Sequence, residues 1–396
     1  MKSTLQSILL SLLLLLSHSL IFGQKTPTKE EVDKRMDYIL QESGAIGFAV
    51  AVVKDNQILF TETYGRKDRT KDEKIALDDL FRIASISKSF TATAIMMLLE
   101  EGKLSLDDSV SDLLGFPIEN PRYPKVKITL RMLLSHMSSI NDSQTYKSLD
   151  VINPVLNSNW KGCYGDYKPG EGYKYSNLGY NIIGTIVERV SGVRFDIFLR
   201  DRIFKPLGLN GGHNVDSLDR SKFVPLYFYS KASSSNGPKY RFVRSKVAYE
   251  SRGEEIANNY KMGYSAPLFS PTGGVKISVV DLAHYMLMHM NYGSDPITGK
   301  RLISVENSKL MQSPIAKINK SRWYGMALGS YTSVIPGRTV IGHTGSAHGL
   351  KSSMYFDPEE KFGFIVITNG YVLPTRGGTI NLLTETTREL YKLFIK

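Results

Sequence analysis

The sequence predicts an α+β fold in three layers, α/β/α: an antiparallel sheet flanked by helices, with an all-α domain inserted between its strands. Three observations predict it. Strand-like stretches gather near the two ends of the 396-residue chain, the middle carries helical periodicity broken by polar loops, and a helical pattern flanks the strands at each end. The expected division is a signal peptide over residues 1–23, a sheet domain built from 24–84 and 310–396, and a mainly helical insertion over 85–309.

The first segment has one early cation, Lys2, then an apolar run over residues 8–16 and a mixed stretch ending at Gly23-Gln24. That is the layout of a secretory signal peptide. The run is shorter than the roughly 20 apolar residues a bilayer-spanning helix needs. The expected protein is therefore exported, periplasmic or secreted, without a membrane span.

A helix is expected over residues 30–42, where Val32, Met36, Ile39 and Leu40 share one face. Strands follow over 47–53 and 57–63, joined by turn-forming Lys54-Asp55-Asn56. A long helix rich in Ala, Met and Leu runs over 85–101, with Gly102 placed to stop it. Further helical patterns cover 130–136, 178–190, 195–203 and 279–289. Between 211 and 263 the chain is irregular and aromatic, around a Ser233-Ser234-Ser235-Asn236-Gly237 break. Those aromatics either wall a cleft or pin a long loop to the core. Strands return over 326–332, 338–342, 352–357 and 362–368, and a helix over 379–394 closes the sequence.

The net charge of +12 is spread among acids rather than gathered in blocks, which excludes a nucleic-acid reading but suits an anionic envelope or wall polymer. Cys163 is the only cysteine. It allows neither an internal disulfide nor a cysteine-based metal site.

Three separated stretches carry chemistry. Ser85-Ile86-Ser87-Lys88 places a hydroxyl where a long helix begins and an amine one turn later on the same face. A serine needs a base to become a nucleophile, and a lysine serves only when burial or nearby cations lower its pKa. The same spacing at Ser158 to Lys161 opens no apolar helix and is set aside. In Tyr175-Ser176-Asn177, a phenol near two cations would lose its proton readily and act as a shuttle, while the Asn177 amide would hold a substrate carbonyl. In His343-Thr344-Gly345, at a predicted strand end, His343 would supply a hydrogen bond or positive charge. Gly345 would let a substrate backbone approach, and the Ser346 N–H would face the Ser85 N–H as a second oxyanion donor. Taken singly, each stretch also reads as ordinary structure: a capping serine, a turn asparagine, a packed histidine.

In this order the three motifs resemble those of the penicillin-recognising serine hydrolases, the superfamily of class C β-lactamases, D-alanyl-D-alanine carboxypeptidases and related esterases. The resemblance covers about residues 30–394. It includes Leu133-Leu134-Ser135-His136, the segment from Pro271-Thr272-Gly273-Gly274 to Asp281-Leu282, and residues 349–352. It implies a β-lactamase/transpeptidase-like fold, Ser85 as acylated nucleophile, Lys88 as its base and Tyr175 as proton shuttle. Asn177, His343, Thr344, Gly345 and Ser346 would bind substrate, with neither metal nor organic cofactor. His343 stands where typical β-lactamases carry lysine, and Met137-Ser138-Ser139 replaces the usual Thr-Ser-Gly. These departures point to the peptidase and esterase branches.

The resulting expectation is an exported serine hydrolase acting on a small amide or ester, with a D-alanyl peptide as leading substrate. The alternatives are a carboxylesterase or weak β-lactamase on the same residues, or a sensor that accepts an acyl group and turns over negligibly. Its partner would be a small molecule or peptide, cell-wall fragments included. The sequence does not set an oligomeric state.

Overall fold

The computed structural model describes residues 27–232, 239–372 and 381–396. The expected signal peptide and the serine-rich break at 233–237 lie outside them. Helix α1 (Lys29–Ser43) opens on a capping box in which Thr28 and Glu31 satisfy each other's backbone N–H groups, at 3.2 and 2.8 Å. Gly44, at φ 58°, ends it. Strands β1 (Gly47–Lys54) and β2 (Gln57–Gly65) follow. Asp55 and Asn56 between them both take positive φ, 48° and 67°, the geometry of a tight hairpin turn that matches strand twist.

Both faces of β1 are buried. Phe48, Val50 and Val52 point to one side with Val32, Met36 and Ile39 of α1 and Leu390 of the last helix, α5 (Leu382–Phe394). Ala49, Ala51 and Val53 point to the other, where helices α2 (Ser87–Glu100), α3 (Asn177–Ser191) and α4 (Val279–Met290) complete a second core. The side-chain period of a strand divides the residues between two helical layers, which is the α/β/α arrangement the sequence predicts. The last helix starts at Leu382, later than expected; residues 379 and 380 are not described.

The main sheet has eight antiparallel strands in the order β2-β1-β13-β12-β11-β10-β9-β8. Its C-terminal members are β8 (Ala316–Asn319), β9 (Arg322–Tyr324), β10 (Gly329–Tyr331), β11 (Val340–Ala347), β12 (Leu350–Asp357) and β13 (Phe362–Gly370). The first and last parts of the chain therefore meet at the β1–β13 pair, from Phe48 opposite Thr368 to Lys54 opposite Phe362. Strand β11 is longer than expected: it runs through the whole His343 to Ala347 stretch, paired residue by residue with β12. On its other side β10 pairs only with Val340, Ile341 and Gly342. Beyond Gly342 that edge of β11 has no strand partner among the described residues.

Short strands also occur in the middle of the chain. β3 (Phe81–Arg82), β4 (Gly211–Gly212) and β7 (Lys276–Ile277) form a small sheet, and β5 (Tyr227–Ala232) pairs with β6 (Lys239–Arg244). The aromatic stretch read as irregular is thus partly a hairpin. Phe223 and Tyr249 on either side of it stack at 4.6 Å.

Candidate active site

Ser85 does not begin an α-helix. It lies in a 3-10 turn (Ala84–Ile86) that leads into α2, after Ala84 at φ 49°. A left-handed non-glycine backbone costs about 1–2 kcal/mol and persists only where its surroundings hold it. Here the segment is held from several sides. Ile83 N–H donates to Val275 O at 3.1 Å, Arg82 Nε to Gly273 O at 2.8 Å, and Val275 N–H to Ser87 Oγ at 3.0 Å. The Ile83 carbonyl accepts from Ser352 Oγ at 2.8 Å. The result holds Ser85 half-exposed in a cavity of about 490 Å³ that Tyr175, Asn177, His343, Thr344, Gly345 and Ser346 also line.

Lys88 lies wholly beneath that cavity. Its Nζ is 2.9 Å from Asn177 Oδ1, 2.8 Å from the Thr272 carbonyl and 3.3 Å from Ser85 Oγ. The first two are pure acceptors, so a neutral amine would give each one hydrogen and turn its lone pair to the serine hydroxyl. Tyr175 lines the same cavity as Ser85. The Tyr175 ring lies 4.8 Å from Lys88 Nζ.

Asn177 is aimed by Asp142. The Asp142 carboxylate accepts from Asn177 Nδ2 at 2.8 Å, from the Asn177 and Leu178 backbone N–H groups at 2.9 Å each, and from Ser176 Oγ at 3.1 Å. It therefore covers the N-terminus of α3, where orphan N–H groups and the helix dipole favour negative charge. It also forces the amide oxygen toward Lys88, where Thr272 Oγ1 adds a bond at 2.6 Å. Every sequence-predicted site residue is thus in or directly under one cavity.

A family model described as beta-lactamase matches residues 32–384. The chain belongs to the beta-lactamase family. This family member is 25% identical over 350 residues to protein flp of Staphylococcus aureus strain MW2, covering 86% of its own length and 63% of that relative's. Among solved structures it is similar to the octameric penicillin-binding protein homologue from Pyrococcus abyssi, with 24% identity, a TM-score of 0.70 and coverage of 92% of this chain and 77% of that one. It is also similar to the D-amino acid amidase from Ochrobactrum anthropi SV3, with 21% identity, a TM-score of 0.65 and coverage of 86% and 92%.

Electrostatics in this beta-lactamase-family site depart from the sequence expectation at Tyr175 and His343. Burial pulls Lys88 well below the usual amine range, with the Asp142 charge opposing it only in part, as a base requires. Burial pushes Tyr175 up, and the nearby Ser85 hydroxyl opposes this only in part. The phenol therefore does not ionise readily, because desolvation outweighs a nearby amine that burial keeps from being a firm cation. His343 is neutral, held down to about 3 by burial and then by Lys88. Its Nδ1 meets the Thr344 carbonyl at 2.6 Å and its Nε2 meets Tyr324 Oη at 3.2 Å. The carbonyl can only accept, so Nδ1 carries the proton and Nε2 accepts from the tyrosine. His343 thus gives no positive charge, and it spends its N–H inside the strand.

Gly345 also differs in its reason. A Cβ there would meet the Ile83 carbonyl oxygen and Ser352 Oγ, both at 2.2 Å. What approaches the glycine is the chain's own segment leading to Ser85.

The family member has further site residues that sequence reasoning missed. Arg322, on β9, lines the cavity with its guanidinium over the Tyr331 ring at 4.8 Å, Nη2 donating to Tyr331 Oη at 3.1 Å. It has no carboxylate partner among the described residues, and its buried Nε has no hydrogen-bond partner. His136 packs between Tyr175 and Tyr324 with its ring tilted to both, centroids at 4.3 and 4.7 Å, and accepts from Ser176 N–H at 3.2 Å. Its motif was legible; its packing role was not.

Proposed function

We propose that this protein is an exported hydrolase that cleaves a D-alanyl peptide of cell-wall type by two-step acyl transfer through Ser85. Lys88 takes the hydroxyl proton as Ser85 Oγ attacks the scissile carbonyl. The developing oxyanion is bound by the backbone N–H groups of Ser85 and Ser346. Tyr175, beside the nucleophile in the cavity, passes the proton to the departing amine, and water later releases the acyl group by the reverse relay. Asn177, fixed by Asp142, orients Lys88 and borders the substrate. The expected signal peptide supports export.

The observation that carries the peptide reading is Arg322. A cation in the catalytic cavity, near Tyr173 and Tyr331 and without a carboxylate partner among the described residues, suits a leaving group that ends in a free carboxylate. An ester with a neutral alcohol would leave it unused. The D-amino acid amidase likeness is in keeping with cleavage beside a D-residue.

Intact-mass spectrometry after a mechanism-based acylating probe, with peptide mapping, tests the nucleophile: the adduct is expected on Ser85 and absent in Ser85→Ala. A panel of D-alanyl peptides, p-nitrophenyl esters and a chromogenic cephalosporin ranks the substrates. Arg322→Ala is expected to raise KM for carboxylate-ended peptides about 10- to 100-fold, the worth of a charge-assisted hydrogen bond, while neutral esters lose little. Equal losses on both classes would remove Arg322 from the reading.

A further inference from the structure

A second cavity of about 380 Å³ adjoins the catalytic one and shares Arg82, Tyr146, Ser270 and His348 with it. Its inner wall is cationic. Arg82 spends Nε on the Gly273 carbonyl at 2.8 Å, and Nη1 lies 3.3 Å from the Ala248 carbonyl and 3.1 Å from His348 Nε2, leaving Nη2 without a partner among the described residues. Lys276, almost wholly buried, has one bond, from Nζ to the His213 carbonyl at 2.5 Å. Neither cation has an ion-pair partner among the described residues. The acids at this cavity, Glu250 and Glu255, are within 3.7 and 3.3 Å of Arg252. Buried cations without a counter-ion are costly and mark a place where an anion would be strongly held. Burial, and then the charge of Arg82, keep Lys276 well below its ordinary range, with Asp216 opposing them in part, so an anion seated there would raise it and let the amine take up a proton.

Two buried acceptors in the same wall also lack partners. His213, 3% exposed, donates from Nδ1 to the Phe269 carbonyl at 2.9 Å and has nothing on Nε2. Asn181, 1% exposed, donates from Nδ2 to the Tyr146 carbonyl at 2.5 Å and has nothing on Oδ1. In a folded protein such atoms call for a donor.

We infer that this cavity is a second substrate subsite, on the acyl side of the scissile bond, and that it takes a carboxylate flanked by an N–H, as on a carboxyl-bearing residue of a peptide. The side follows from β11. Tyr175 faces its His343 end, with rings 6.1 Å apart, so a leaving group that collects its proton there points away from His348. His343 and Ala347 are roughly 13 Å apart at the usual strand rise, and Arg82 opens at the far end. The inference rests on the hydrolase reading above and deepens it.

The test uses mono-p-nitrophenyl esters of dicarboxylic acids from succinic through suberic, each paired with the ester whose far carboxylate is methylated, with Ser85→Ala protein correcting for spontaneous hydrolysis. At one chain length the free acid is expected to show a KM about tenfold below its methyl ester, in keeping with one charge-assisted contact. Lys276→Met and Lys276→Gln are expected to collapse that ratio to about one. Hydrolysis of the methyl ester reports folding, and if Lys276→Met fails it, Lys276→Gln decides alone. Free acid and methyl ester treated alike at every length by the wild type, or a preference that survives in a folded Lys276 variant, would overturn the subsite. Absence of any Ser85-dependent release would instead overturn the hydrolase reading.

Discussion

In the proposed reaction the chemistry turns on Lys88, because two fixed acceptors claim its hydrogens and leave its lone pair for the serine. A lowered amine pKa predicts the sign of two pH effects. For acylation the neutral form is the base, so kcat/KM rises with pH and reaches its plateau well below 10.5, the ordinary lysine value. Because Tyr175 is pushed upward, Tyr175→Phe should lower the plateau without removing the rising limb. A limb that vanishes in Tyr175→Phe would assign it to the phenol. For stability, the folded state resists protonation at Lys88. The favourable contribution of the neutral amine is complete above the unfolded lysine value and is lost as pH falls through the lowered folded one. Lys88→Met should flatten that part of the stability profile, as followed by thermal unfolding across a pH series. Ser85 and Lys88 were legible because their relation is one turn of backbone. The protonation states were not, since burial is a property of the fold and overrode the count of nearby cations at Tyr175.

At the scale of elements, α3 and β11 hold the two halves of the site. Asp142 reaches the start of α3 from 35 residues away, so no local pattern announces it. Removing its carboxylate strips two backbone N–H groups and the Asn177 amide of their acceptor. Asp142→Ala is expected to cost about 2–4 kcal/mol in denaturant unfolding, from the loss of a charged cap with several bonds. It should also depress kcat more than Asp142→Asn, because Asn177 then loses its aim. On β11, Gly345→Ala places a methyl on the Ile83 carbonyl and must push the Ser85 turn away from the strand. Acylation by the probe should fall sharply, whereas Thr344→Ser, which adds no atom, should change it little. The motif was readable, but its extent was not: glycines suggested a strand end, while pairing with β12 carries the strand on to Ala347. Strands β8 and β9, only four and three residues long, are too short to show alternation, and Arg322 was missed with them.

For the whole molecule, two-sided burial of the sheet made the fold class readable from the ends of the chain. The alternating faces of β1 have one helical partner before it and others far beyond it in sequence. The apolar residues of β1 and β13 are the signal that survives without knowledge of pairing, and the sheet order is what pairing adds. If the exported reading is right, N-terminal sequencing of protein recovered from outside the cytoplasm should begin near Gln24, with a net charge of +11 after loss of Lys2 from the +12 of the full chain. Recovery of the intact N-terminus from that compartment would sink it.

The β1–β13 pair has a bearing on how the protein is made. Strand β13 begins only at Phe362, so during synthesis β1 has to wait for almost the entire polypeptide before its inner neighbour emerges from the ribosome. A nascent chain halted before that point lacks the strand that joins its N-terminal hairpin to β12. Slow closure of this kind keeps a polypeptide threadable, and it postpones assembly of the Ser85 pocket until synthesis is nearly over.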